Sequence, residues 1–203
     1  MKAVRQLSHA LVHPMETVEE IKRGQTWRPW LACAILGLWF LITVIAEYAT
    51  DFKFNRKNPE EINTLFLLGR TVGLYLLFIV VNWALTTLFD GKGTMKEIFC
   101  ACSFALIPWM LSTLLNTALS RFLLIDENMF MIIIRDVGVI YAAFVFIQAM
   151  MAVHDYSFLK TVLSIAVSAL GVLFVIFLVI LFMGLAQQVI FFFRTIITEA
   201  RMR

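Results

Sequence analysis

The feature that most limits what this chain can fold into is the spacing of its charges. Residues 161–193 form a run of 33 positions without one Asp, Glu, Lys or Arg, and four other nearly uncharged runs precede it, at 30–48, 71–89, 98–120 and 137–153. A helix needs about 20 apolar residues to cross roughly 30 Å of hydrocarbon, and each run meets that length or comes close to it. Composition agrees, since 61% of the residues are hydrophobic and 15% charged, against about 45–50% and 25% in a soluble domain. A single soluble core, a disordered tail, a collagen-like repeat and a disulfide scaffold are excluded. The chain reads as an all-α polytopic membrane bundle of five transmembrane helices.

Some helices extend beyond their uncharged runs. The second starts near Leu65, and the fourth near Met129, which brings Arg135 and Asp136 into its first turns. Residues 161–193 as one helix would reach about 50 Å at 1.5 Å per residue, more than the hydrocarbon is thick. No turn signal interrupts them before Gly184, with Gln187 and Gln188 just beyond, so one span continuing into an interfacial helix is expected rather than a reentrant hairpin. The expected spans are 30–48, 65–89, 98–120, 129–153 and 159–183, within a transmembrane domain of residues 30–193. Residues 184–203 form the interfacial C-terminal helix and tail.

Residues 1–29 are polar and contain Pro14, unlike a secretory signal peptide, so the first apolar run is expected to stay as an anchor. Val4, Leu7 and Leu11 recur at helical spacing. Pro14 then suits a helix start, with Glu16, Glu19 and Glu20 early, Lys22 and Arg23 late, and Gly24 as the stop. This predicts a pair of amphipathic helices on the cytoplasmic membrane surface. With the N-terminus inside, Lys and Arg divide eight inside against nine outside, so the total does not orient the chain. The first span usually dominates, and five basic residues precede it, which predicts a cytoplasmic N-terminus and an extracytoplasmic C-terminus. The net charge of +3 is too small to suggest a nucleic-acid partner. Cys33, Cys100 and Cys102 lie in or beside apolar runs and read as packing residues.

Two short polar loops carry the candidate chemistry. Asp90, Gly91, Lys92, Gly93 and Thr94 follow the second span. The glycine spacing is wrong for a phosphate loop, which needs a strand before it and a helix after it. Asp90-Gly91 and Gly93 instead predict a tight turn, and Thr94 with Glu97 a capping box for the third span. His154, Asp155, Tyr156 and Ser157, with Lys160 beyond, join the fourth and fifth spans on the same side, where Asp155 or Ser157 is expected to cap the fifth helix. His9 and His13 share that side, yet no set of metal ligands gathers there. Neither a metal, a cofactor nor a catalytic residue is expected. Within the membrane, Asn82 and Gln148 fall at similar depths and are expected to pair by their amides. Glu47, Arg70, Arg135 and Asp136 gather near the opposite helix ends. Gly69 with Gly73, and Ser164, Ser168 and Gly171, form small-residue stripes for helix packing, and Pro108 is expected to kink the third span.

The order of these features resembles a bacterial member of the Yip-one domain family, five-span proteins named for Rab-interacting relatives in eukaryotes. The resemblance rests on His13-Pro14 before a Glu/Lys helix, Asn82-Trp83, Leu88 through Thr94, Ala105-Leu106-Ile107-Pro108, and His154-Asp155-Tyr156-Ser157 with Lys160. It covers nearly the whole chain. It implies five spans with a cytoplasmic N-terminus and an adaptor-like role. Eukaryotic relatives bind prenylated small GTPases and each other, and they carry a long cytoplasmic region where this chain has 29 residues before its first span, so the GTPase role is not carried over. Bacterial relatives are often encoded beside carbohydrate ABC-transporter genes, which implies association with such a transporter.

The leading expectation is a non-enzymatic scaffold or accessory protein of the bacterial plasma membrane. Its partner, a membrane protein such as an ABC-transporter subunit, would dock on Asp90, Gly91, Lys92, Gly93, His154, Asp155 and Tyr156. The alternative is a permeation protein for a small solute or lipid, acting as a homo-oligomer. It would depend on Asn82, Asn116 and Gln148 for a polar path, and no carboxylate lies at mid-membrane to carry ions or protons.

Overall fold

The structure, a computed structural model, describes residues 29–55 and 62–202. The amphipathic helix pair expected before the first span lies outside the described residues. Five helices are long and apolar enough to cross a membrane. They are α1 (Pro29–Ala49), α2 (Thr64–Leu88), α3 (Met95–Leu119), α4 (Asn128–His154) and α5 (Phe158–Met202). A 3-10 turn, Ile125–Glu127, leads into α4. The all-α polytopic bundle read from the charge spacing is the fold observed.

Local chemistry sets where the helices start and break. The Asn63 side chain accepts from the Phe66 amide at 3.0 Å to open α2. Thr94 and Glu97 form the reciprocal capping box that opens α3, which supplies partners to amides that a helix start leaves free. Helix α3 is interrupted at Leu106, two residues before Pro108. Proline has no N–H to give to the carbonyl four residues back, and the Leu106 amide bonds the Ser103 carbonyl at 3.2 Å in a tighter turn. Helix α2 contains a π turn, Gly69–Gly73.

Helix α3 is the hub, packing against α1, α2 and α4, while α5 lies outside against the second half of α2 and against α4. Ile98, Ala101, Phe104 and Ala105 of α3 are buried with Ala32 of α1, Ile79 of α2 and Val145, Ala149 and Val153 of α4. Lipid is as apolar as leucine, so close backbone approach and polar contacts hold such helices together. Gly138 of α4 sits directly on the Ser112 side chain of α3, and Gly171 of α5 faces Val81 and Leu85 of α2. Ser168 is fully buried in the same seam, so the small stripe of α5 packs within the chain. Gly69 and Gly73 have open surroundings instead. The π turn adds a residue to the winding, which shifts the register their four-residue spacing relies on.

The four charges gathered at the far ends resolve into two pairs. Arg70 of α2 bonds Glu47 of α1 at 3.3 Å, and Arg135 bonds its neighbour Asp136 at 3.0 Å. Helix α5 runs on as one rod of 45 residues, about 68 Å at 1.5 Å each. From Phe177 to Glu199 its side chains are exposed except for Ala186.

Candidate functional site: a polar knot where four helices meet

The C-terminal ends of α2 and α4 are built alike. Asp90 and Asp155 each take a left-handed backbone, with φ of 58° and 55°. The following amides turn back into the helix, Gly91 to the Thr86 carbonyl at 2.8 Å and Tyr156 to the Met151 carbonyl at 3.2 Å. Such six-residue closures usually place glycine at the left-handed position. Aspartate is among the few other residues that tolerate it. Asp155 therefore ends α4 rather than capping α5, as the sequence had suggested for it. Glycine is required one step later: a Cβ on Gly91 would lie 2.8 Å from the Thr86 carbonyl oxygen and 2.9 Å from the Tyr156 hydroxyl. A Cβ on Gly93 would lie 2.9 Å from His154 Cε1.

These ends are tied across. The Tyr156 hydroxyl donates to the Phe89 carbonyl at 2.8 Å. Lys92 pairs with Asp155 at 3.4 Å. The His154 ring stacks on Tyr156 with 5.3 Å between centroids. Lys160, in the first turn of α5, holds its ammonium 4.1 Å from the Tyr156 ring centroid, a favourable position over the negative face of the ring. Burial and the negative charge of Asp90 push the Tyr156 phenol above its ordinary pKa. The Lys92–Asp155 pair is exposed and is worth little by itself; the tyrosine and the buried layer beneath it set the geometry.

That layer is Asn82, His154 and Ser168, all 2% exposed or less. Asn82 Nδ2 donates to Ser168 Oγ at 2.9 Å, and Asn82 Oδ1 lies 3.2 Å from His154 Nε2. With the amide nitrogen given to Ser168, the oxygen is the acceptor, which places the proton of that contact on His154 Nε2. One asparagine of α2 thus joins α4 and α5. The amide pair expected between Asn82 and Gln148 is replaced by this arrangement. Six residues turn a helix by about 600°, or 240° beyond a full turn, so when His154 faces Asn82, Gln148 cannot.

All seven residues predicted for the docking face fall within this knot. Asp90, Lys92 and Asp155 are exposed, Gly91 and Gly93 are half-buried, and His154 and Tyr156 are buried. Ser168 and the Phe89 carbonyl belong to it without being among the docking residues singled out by the sequence. Ser168 was visible only as a small residue in a packing stripe, and a backbone carbonyl carries no sequence signal. Among the described residues no three His, Cys, Asp or Glu side chains gather as metal ligands do. Asn82, Ser168 and His154 Nε2 bond one another in the buried layer, while Asp90, Lys92, Lys96, Asp155 and Lys160 stand exposed. This is a surface of mixed charge tied together by the contacts beneath it.

A model of the Yip1 domain matches residues 8–181 of the chain. No curated protein and no solved structure matches it.

Proposed function

The chain belongs to the Yip1 domain family, and from that premise we propose that it is a non-enzymatic membrane scaffold that docks a partner on the knot. The observation that carries this reading is the fastening of two short loops into one surface by the Tyr156–Phe89 bond above the buried Asn82–His154 contact. Preorganised loops bind at a lower cost in conformational entropy, and Asp90, Lys92, Asp155 and Lys160 offer paired signs for a partner of matching charge pattern. In this reading the N-terminus and the knot are cytoplasmic, the C-terminus is extracytoplasmic, and the membrane is the bacterial plasma membrane. The partner is a membrane-complex subunit, with a carbohydrate ABC transporter as the first to examine.

The test is a mild-detergent pull-down of the tagged protein from native membranes, with quantitative mass spectrometry. The expected result is a stoichiometric transporter subunit that is lost when Asp90→Lys and Asp155→Lys reverse the exposed charges. A partner retained by that double variant, or none recovered with the wild type, overturns the docking reading.

A further inference from the structure

A chamber of about 770 Å³ opens between α1, α2, α3 and α4, away from the knot, within the size range of about 300–1,000 Å³ typical of small-ligand sites. On α2 its lining runs from Arg70 to Phe78, eight residues or about 12 Å of helix. Trp39 of α1 packs on Trp109 of α3 with 6.0 Å between centroids and on Tyr75 of α2 at 6.2 Å, and together the three rings form one wall. Phe78 and Phe146 close the inner end at 5.6 Å. Ala142 and Ala143 line α4, where small side chains leave the space unfilled. The π turn of α2, Gly69–Gly73, contains Arg70 and Thr71 of the lining. Such turns recur beside functional sites.

The polar groups of the wall indicate what the chamber takes. Thr43 donates to the Trp39 carbonyl at 2.8 Å and Thr71 to the Leu67 carbonyl at 2.8 Å. The Tyr75 hydroxyl bonds the Phe99 carbonyl at 2.8 Å and Ser103 at 2.6 Å. The wall hydroxyls are thus already engaged within the protein, and a polar solute inside would exchange water for an aromatic and aliphatic surface at a cost. A hydrocarbon chain has no such cost. At the outer edge Arg70 is different: its side chain is 50% exposed, and one guanidinium nitrogen meets Glu47 while the group carries further N–H donors. Guanidinium groups suit phosphate because their fork matches two oxygens.

We propose that the chamber holds an acyl chain of an anionic phospholipid, with the lipid phosphate against Arg70. The chain lies along the wall formed by Trp39, Tyr75 and Trp109, and Glu47 holds the guanidinium through one of its nitrogens. The occupant is drawn laterally from the bilayer, so the site is independent of the partner proposed for the knot.

The experiment reconstitutes the full chain in phosphatidylcholine vesicles titrated with chain-brominated phosphatidylglycerol, which quenches nearby tryptophan. The expected result is a steep quenching component at low phosphatidylglycerol that disappears in Trp39→Phe/Trp109→Phe. Arg70→Gln is expected to move half-quenching to a roughly tenfold higher lipid fraction, the size of one lost charged hydrogen bond. Ala143→Phe, which fills the chamber, should abolish the component, with thermal melting used to confirm that each variant is folded. Quenching that is equal for brominated phosphatidylcholine, or unchanged in folded Arg70→Gln, overturns the proposal. The readout involves no protein partner, so its failure is distinct from failure of the docking reading.

Discussion

Asn82 divides its amide between two other helices, the nitrogen bonding Ser168 and the oxygen facing His154. Removing it leaves a buried ring N–H and a buried hydroxyl to find new partners where water is scarce. Asn82→Ala is therefore expected to destabilise the protein by about 1–2 kcal/mol, read as a lower melting temperature in detergent. Gln148→Ala, half-buried and outside the network, should cost less than half of that. Equal effects would mean that the amide orientation or the helix rotation is wrong. Tyr156 makes a separate prediction in pH. Burial and Asp90 favour its neutral phenol, so its folded pKa lies above that of an ordinary tyrosine. Stability is therefore complete below the ordinary tyrosine pKa of about 10 and falls as pH rises through the higher folded value. Phenolate absorbance of the wild type minus that of Tyr156→Phe should accordingly titrate above 10.0, and titration at or below it would contradict the geometry. Both loops of this site were legible in the sequence because short polar segments between long apolar runs stand out. Their joining was not, because it depends on how α2, α4 and α5 are rotated about their axes, and a helix that is apolar on all sides carries little record of its rotation.

At the scale of elements, glycines separate real contacts from apparent ones. Gly138 stood out in no spacing pattern, yet a Cβ there would run into both Cβ and Oγ of Ser112. Gly138→Ala should then push α4 from α3 and cost about 1–3 kcal/mol, the usual range for overpacking. Ser112→Ala should not rescue it, because the Ser112 Cβ remains, whereas Ser112→Gly should. Gly69 and Gly73 had the expected small-xxx-small spacing, but a Cβ on Gly69 meets nothing within 4 Å and one on Gly73 only the Leu68 carbonyl at 4.0 Å. Alanine at either position should be neutral or raise stability by up to about 1 kcal/mol, by restricting the unfolded chain. Melting of the three single variants checks both claims. Helix positions were readable because charges separate the apolar runs, the capping box because Thr94 and Glu97 satisfy each other's amides, and the break before Pro108 because proline has no N–H. The π turn in α2 has no such marker.

For the whole molecule the informative part is the far half of α5. A bilayer core of about 30 Å takes about 20 residues of helix, and α5 has 45. Its packing seam, Thr161 to Gly171, lies entirely in its first third, against α2 and α4. From Phe177 to Glu199 its side chains contribute almost nothing to the bundle's interior. Ending the chain after Met183 should therefore leave the melting temperature within about 2 °C of the full protein, since changes away from packed features stay near 0.5 kcal/mol and each kcal/mol moves a chain of this size by about 2–4 °C. By contrast, Gly171→Leu, which forces a large side chain against Val81 and Leu85, should separate α5 from α2 and disturb Ser168 and Asn82 beneath the knot. The two variants make opposite forecasts for the same helix. The truncated protein should keep its partner in the pull-down, and the Gly171→Leu protein should lose it even with Asp90, Lys92 and Asp155 intact. A truncation that lowers the melting temperature by more than about 4 °C would mean that the far half of α5 is covered in the membrane, and that the folded unit is larger than one chain.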